Sequence, residues 1–586
     1  MPRPHLPPPA FKLDARVAVR TLGLTAAVLT LAAGCISNPL GPHPLDTDTR
    51  APAERLRRVG GLELTRIDTP PGEAEPTPSE QVEQARARYE GMERVDLALD
   101  EARQHAFERN LGLRATLVNP VIAAERLSQE EGRFNAVFTL NSGWSEIDDA
   151  VATELADAQS TRQFVTPGVT LPLRTGGEFT VTTPISRFET DNAFSTLNPA
   201  INADLEFSLS HNLLRGAGRR VATHSIRLAE YDRQISEAQT KLEVIRTLAE
   251  VDRAYWRLYA SIQALEVVEQ QYLVAREQFD RAERRLRAGS GAEIDVVRAE
   301  SGIADRVEQI IRAQNDVRLR ERELKALINA PGLEVGSATG LEPVTTPEPV
   351  RYAFDADALS AAAVVNRMEL LELELQLARD AAQVAFDQNQ TLPLLAMQYT
   401  YRINGLGGSL SDAVDVTRRN DFEDWTVGMQ AEVPIGNEQR RATLAQSILA
   451  RLQRLSTREA RRQQIEKEVR DAVDQLSSTW QRIMASRQAV LLNARALEAE
   501  RRQFEVGRST STDVLDADAS LADARLAEIR AIIEYQIAQI DLGVATGTLL
   551  GQARVDWEPR DPRKETTPDE QIPVRSRPTS GVFSAP

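Results

Sequence analysis

Asp513 and Asp516 stand just behind Gly507, where one long apolar repeat stops and another begins. Asp295 stands in the same relation to Gly289. Aspartates at the start of a helix can accept its free N–H groups or meet the positive end of its dipole. That is electrostatics, not catalysis, and nothing else in the chain offers more. The five histidines, His5, His43, His105, His211 and His224, are not at metal-ligand spacing. No glycine-rich loop ends in Lys-Ser/Thr, so there is no phosphate cradle for a nucleotide hydrolase. Ser and Asp are plentiful, yet no nucleophile and base are marked as a pair. Neither enzyme activity nor a metal or cofactor is expected.

The single cysteine, Cys35, excludes an internal disulfide and gains meaning from its place. Arg16 and Arg20 precede an apolar run, Thr21 to Leu31, and Ala32-Ala33-Gly34 stand before Cys35. A basic region, a short apolar core and small residues make an export signal over 1–34. The run falls short of the roughly 20 residues that span a bilayer. Small residues directly before Cys resemble the bacterial lipoprotein box, although Ala32 stands where leucine is commonest. The resemblance implies cleavage before Cys35 and covalent lipid on its thiol. An ordinary signal or a buried cysteine is the competing reading.

The elements behind the aspartates come in two copies. Val251, Leu258, Leu265, Tyr272, Phe279 and Leu286 are spaced seven apart, as are Val469, Leu476, Ile483, Val490, Leu497 and Phe504. Such seams specify two long coiled-coil helices that need neighbours to cover them. Each runs from a glycine, Gly218 or Gly436, to another, Gly289 or Gly507, a length of roughly 105 Å at the helical rise. Return helices are expected from Asp295 to about Ala330 and from Asp513 to about Leu550.

Between helices the period changes to two. Alternating runs occur around 136–141, 203–210, 395–404 and 425–433, with one apolar and one polar face. Strands with apolar-out, polar-in alternation suit a transmembrane β-barrel. Four cannot close a barrel alone, so either they pair within a soluble body or several chains pool them, and three chains would make about twelve. Residues 145–200 read as a long loop containing one strand-like stretch, 179–182, and 405–424 as a shorter loop.

The net charge of −16 disfavours nucleic acid as a partner, because phosphate binding needs basic clusters. The expected organisation is a signal over 1–34 and an anchor and extended linker over 35–94. A first repeat covers 95–330, a Pro-rich linker 331–352, a second repeat 353–551 and a polar tail 552–586. The fold class is mixed α+β.

Val95-Asp96-Leu97-Ala98-Leu99-Asp100-Glu101-Ala102, Leu392-Pro393, Val433-Pro434-Ile435, and Phe504-Glu505-Val506-Gly507 through Asp513-Val514-Leu515-Asp516-Ala517 together resemble the TolC-like outer-membrane efflux family. The resemblance spans most of 95–551 in both repeats. It implies a homotrimer in outer-membrane lipid, with a twelve-stranded barrel above an α-helical periplasmic tunnel. It also implies a periplasmic adaptor and an inner-membrane pump as partners. By the same resemblance Asp513 and Asp516 form rings at the periplasmic entrance, and links between the hairpin tips hold it closed. Arg508 and Asp295 are candidates for such a link, although the family's arginine falls where this chain has Ser509. Arg298 replaces the first-repeat counterpart of Asp516, so the two tips differ in charge. Strand one lacks the family's leading proline.

The reading is an outer-membrane exit duct for efflux or type I secretion. Its rivals are a non-conducting protein that bridges envelope layers and a periplasmic adaptor, the latter disfavoured by the duplication. One prediction follows from the signal. Mature protein begins at Cys35 and carries acyl chains that Cys35→Ser abolishes; intact-mass measurement showing a free thiol, or a start before residue 35, rejects it.

Overall fold

The structure, a computed structural model, describes Glu80 and residues 93–555 except 152, 154–156 and 507. Cys35, the signal, Gly507 and the tail from 556 lie outside the described residues. The chain runs through β1 (Arg94–Leu97), α1 (Leu99–Arg109), α2 (Leu111–Leu117) and α3 (Asn119–Gly132). Six strands follow: β2 (Val137–Asp148), β3 (Gln159–Leu173), β4 (Gly177–Thr182), β5 (Ile185–Thr190), β6 (Ala200–Ala203) and β7 (Leu205–Asn212). The short α4 (Arg219–Ala222) leads into α5 (His224–Arg287), which returns as α6 (Glu293–Ile328). The second half contains β8 (Gly340–Pro343), α7 (Ala356–Asn366), α8 (Met368–Gln390), β9 (Leu394–Ile403), β10 (Leu406–Gly407) and α9 (Leu410–Arg419). It ends with β11 (Glu423–Glu432), α10 (Glu438–Glu505), α11 (Ser511–Thr546) and α12 (Leu549–Gln552).

The heptad seams do what their spacing requires. α5 has 64 residues and α10 has 68, about 96 and 102 Å of helix. Val251, Leu258, Leu265 and Tyr272 are buried, as are Val469, Leu476, Ile483, Leu497 and Phe504. α5 packs on α6 and α10 on α11, so each seam closes as an antiparallel hairpin. Gly218 and Gly436, both at φ +91, turn the chain from sheet to helix. The two long helices differ in surroundings. α5 is also covered by α1, α3, α8 and α11. α10 leaves Ile448, Leu449, Leu452 and Leu455 exposed.

The linker over 331–352 is more than a connection. Its β8 pairs in parallel with β1, and the fully buried Tyr255 ties both to α5. The Tyr255 hydroxyl donates to the Leu97 carbonyl at 2.9 Å and accepts from the Thr345 N–H at 2.9 Å. Proline-rich spacing hid this pairing, because the partner strand lies more than two hundred residues away. α2 and α3 are separate helices that meet at Val118, with Pro120 at the start of α3.

The largest departure from expectation is the sheet. Residues 145–200 are not a loop. β3 pairs antiparallel with β2, and β4 and β5 both pair with β3 as one line interrupted at 183–184. β7 and β6 pair with β4 and β5 as the next line, β9 and β10 with those, and β11 with β9. The sheet therefore has six lines where four were expected. Pro167, Pro172 and Pro184 explain the difference, since proline lacks a donor and demotes a run read locally. The 405–424 segment likewise carries a helix, α9, packed on β6 and β10. Among the described residues no helix is long and apolar enough to cross a membrane.

Where α8, α10 and α11 meet, Arg367 is buried and saturated. It donates to both Glu369 oxygens at 3.0 and 2.7 Å, to Glu468 at 2.9 Å, and to the carbonyls of Val544 and Ala545. Burial works against the Glu369 charge, yet hydrogen bonds and attraction from Arg367, with help from Arg461, hold its carboxyl below the ordinary range. A depressed carboxylate stabilises the fold above its unfolded pKa and loses that contribution as pH falls through the lower folded value. Glu369→Gln is therefore expected to cost about 1.5–3 kcal/mol at pH 7. The gap to wild type should shrink below about pH 4.3. Thermal unfolding at pH 7 and pH 3 checks both the size and the sign.

Candidate gate at the hairpin tips

The two hairpins turn with the same backbone device. The Ser290 N–H donates to the Arg285 carbonyl at 2.9 Å, and the Gly289 N–H to Leu286 at 2.9 Å, with Gly289 left-handed at φ +72. This is a glycine-capped helix end that uses carbonyls otherwise left unpaired. In the second hairpin the Arg508 N–H donates to the Gln503 carbonyl at 2.9 Å, at the corresponding positions. Gly507 itself lies outside the described residues.

The return helices start differently. Thr510 caps α11: its hydroxyl accepts from the Asp513 N–H at 3.3 Å, while the Asp513 carboxylate accepts from the Thr510 N–H at 2.8 Å. The same oxygen accepts from the Thr510 hydroxyl at 2.7 Å and the Ser509 hydroxyl at 3.2 Å. These bonds, those from Thr510 foremost, hold the Asp513 carboxyl below its ordinary range. Asp513 is thus the reciprocal member of a capping box. Asp295 is at the equivalent position of α6, but Ala292 precedes it in place of Thr510 and offers no side-chain cap. Glu293 and Asp295 simply lie in the first turn, where the dipole favours them.

Asp516 is exposed one turn further along α11, and Ser520 donates to its backbone carbonyl rather than to its carboxylate. Arg508 and Arg298 are also exposed. Among the described residues no ion pair joins Arg508 to Asp295.

What links the tips is a contact that spacing did not reveal. The Arg285 guanidinium lies over the Phe504 ring, 4.4 Å from its centroid. Phe504 ends the α10 seam and is buried with Leu497, Val514 and Leu521. A cation on an aromatic face contributes about 0.5–2 kcal/mol. The heptad pattern identified Phe504 as seam; it could not pair it with an arginine from the other repeat. Arg281, Arg284 and Arg285 line a cleft of about 370 Å³ beside Phe504 and Glu505. The first tip thus adds a cluster of arginines to its Glu293 and Asp295, where the second carries Asp513 and Asp516. Asp518 was also missed. It is buried, which pushes its carboxyl up, against the pull of Arg501, Arg306 and Arg525.

His224 is stacked on Phe386 at 4.2 Å and bonded to Gln383, and His211 sits beside Thr175. Among the described residues no group of three or more His, Cys, Asp or Glu is gathered as metal ligands.

The outer membrane efflux protein family model matches residues 214–330 and 359–548, together more than half of the chain. Outer membrane protein TolC of Vibrio cholerae is 25% identical over 312 residues, which cover 52% of this chain and 68% of that protein. Nodulation protein T of Rhizobium leguminosarum is 23% identical over 281 residues, 47% of this chain and 57% of that one. A membrane protein from Pseudomonas aeruginosa has the same fold, with TM-score 0.58 and 18% identity over 77% of this chain and 93% of its own. The Campylobacter jejuni CmeC outer membrane channel aligns with TM-score 0.58 and 13% identity, over 77% and 86%.

The capping geometry separates two aspartates that looked alike. Thr510→Ala should lower stability by about 0.5–2 kcal/mol, whereas Asp516→Asn should leave it unchanged. Hydrogen exchange across 508–516 checks this locally: equal protection in both variants removes the cap.

Proposed function

Because the chain belongs to the outer membrane efflux protein family, we propose that three copies form an outer-membrane exit duct. A periplasmic adaptor and an inner-membrane pump would load it and supply the energy. The chain is an outer-membrane efflux channel that extends into the periplasm, and the family consists of channel proteins. The observation that carries the proposed assembly is the open amphipathic sheet continuing directly into helices about 100 Å long. Among the described residues its edge strands, β2 and β11, and the exposed apolar face of α10 each lack a partner within one chain. Neighbouring copies supply all three. Cys35, acylated after export, anchors the N-terminal linker in the same membrane. Asp513 and Asp516, brought together by three-fold symmetry, place up to six carboxylates at the periplasmic mouth. Arg285 on Phe504 holds the two hairpins of each copy together, and Asp295 and Arg508 belong to the same mouth.

Planar-bilayer recording of the purified assembly tests the duct. Discrete unitary currents are expected, and their absence favours a bridging protein without transport. Replacing Asp513 and Asp516 together with Asn should reduce the cation/anion permeability ratio; an unaltered reversal potential confines both to capping and surface roles. On the sheet, Arg at Leu205 or Tyr399 should cost about 2–4 kcal/mol near the bilayer midplane. Arg at Ser208 or Thr400 should be far milder in refolding titrations into liposomes.

A further inference from the structure

We propose that residues 159–190 are two further staves of the membrane barrel, so that the assembled wall has eighteen strands rather than twelve. The inference rests on the three-copy reading above. Three observations carry it.

The first is register. One row crosses all six lines of the sheet: Phe138, Val169, Val181, Phe207, Tyr401 and Trp425 are consecutive cross-strand partners. Two residues along, Leu171, Phe179, Leu209, Tyr399 and Val427 repeat the pattern. Between them, on the opposite face, run Thr170, Thr180, Ser208, Thr400 and Thr426. A one-residue slip would reverse every side chain of a strand. The added hairpin therefore shares its apolar face with the strands that flank it.

The second is extent. On β3 the apolar positions run from Val165 to Leu173, and on β9 from Leu395 to Ile403. Either run covers about 27 Å along the strand, or about 21 Å of membrane depth at a tilt of 40°, most of an outward apolar band about 25 Å tall. A hairpin standing in water beyond the membrane needs no such band.

The third is the inner turn. The β3–β4 turn lies at the helix end of the sheet. The Gly218 N–H donates to the Thr175 carbonyl at 2.9 Å, and His211 bonds the Thr175 hydroxyl at 3.2 Å. Arg174 lies over Phe134, which leads into β2. A Cβ on Gly176 would stand 2.3 Å from the Gly216 carbonyl oxygen, so only glycine fits. The hairpin thus starts at the outer end of the sheet and turns back where the strands become helices.

β2 and β11 run in opposite directions and remain the open edges, so β11 of one copy closes antiparallel on β2 of the next. Barrel width grows with strand number. At ordinary strand spacing and a tilt of 40°, eighteen strands give a diameter of about 36 Å and twelve about 24 Å.

The test uses the full chain in liposomes, in a Cys35→Ser background, with single cysteines carrying a fluorescent probe. Probes at Val169, Phe179 and Val181 should be quenched by lipids brominated on their acyl chains. Cysteines at Thr170, Thr180 and Thr182 should react with a membrane-impermeant maleimide. Equal maleimide reaction on both faces, with no quenching, overturns the proposal. Electron cryomicroscopy of the unmodified assembly in nanodiscs provides a count that does not depend on any variant. A three-copy wall of twelve strands rejects the added staves and leaves the duct standing. An assembly of another stoichiometry rejects the three-copy reading itself.

Discussion

Inside a bilayer an unpaired backbone N–H or C=O costs several kcal/mol, so a sheet in lipid cannot keep an open edge. This constraint governs the whole molecule. One chain makes a six-line antiparallel sheet whose edge strands, β2 and β11, have no further partner among the described residues. On the proposed assembly, closure comes from other copies, and the helices that leave the sheet arrive at positions compatible with that closure. The glycine junctions and the clasp around Thr175 place the start of the helices relative to the inner rim of the sheet. The exposed apolar face of α10 is a second surface that the proposed neighbour would cover, on the helical part.

The matching seams of the two hairpins account for both the economy of the design and its asymmetry. Two copies of one seam give two hairpins of nearly equal length, closed by the same backbone bonds at Arg285–Ser290 and Gln503–Arg508. Their surroundings then diverge. α5 became the central helix, holding the β1–β8 pair through Tyr255 and α1 through Arg103, which bonds the buried Asp252 at 2.8 Å on both oxygens. α10 kept much of its surface open. Charge diverged as well, since a basic cluster near the first tip faces Phe504 while the second tip presents carboxylates. Hydrophobic burial is shared by the repeats, whereas polar side chains distinguish them.

Position and role separate cleanly at the second tip. Asp513 is used by the fold: its carboxylate closes the capping box and starts α11. Asp516 has no such duty and is exposed. A carboxylate free of local hydrogen bonds can respond to a passing ion, while one bound to Thr510 and Ser509 has already committed its lone pairs.

The heptad seams, the hairpin breaks, the strands around 205, 399 and 427 and the doubled plan were legible in the amino-acid sequence, because each depends on side-chain period within a short window. Asp513 and Asp516 were picked out as candidates the same way, from their distance to a break, and the structure shows only the capping role of the first. The contacts that distance along the chain conceals were not legible. Tyr255 reaches Leu97 and Thr345, Arg285 reaches Phe504, and β3 pairs with strands on both sides despite three prolines nearby. Local pattern decides which face of a helix or strand is apolar. Only the assembled tertiary structure decides which strands share that face, since hydrogen-bond partners far apart in the chain can override what proline and glycine signal locally.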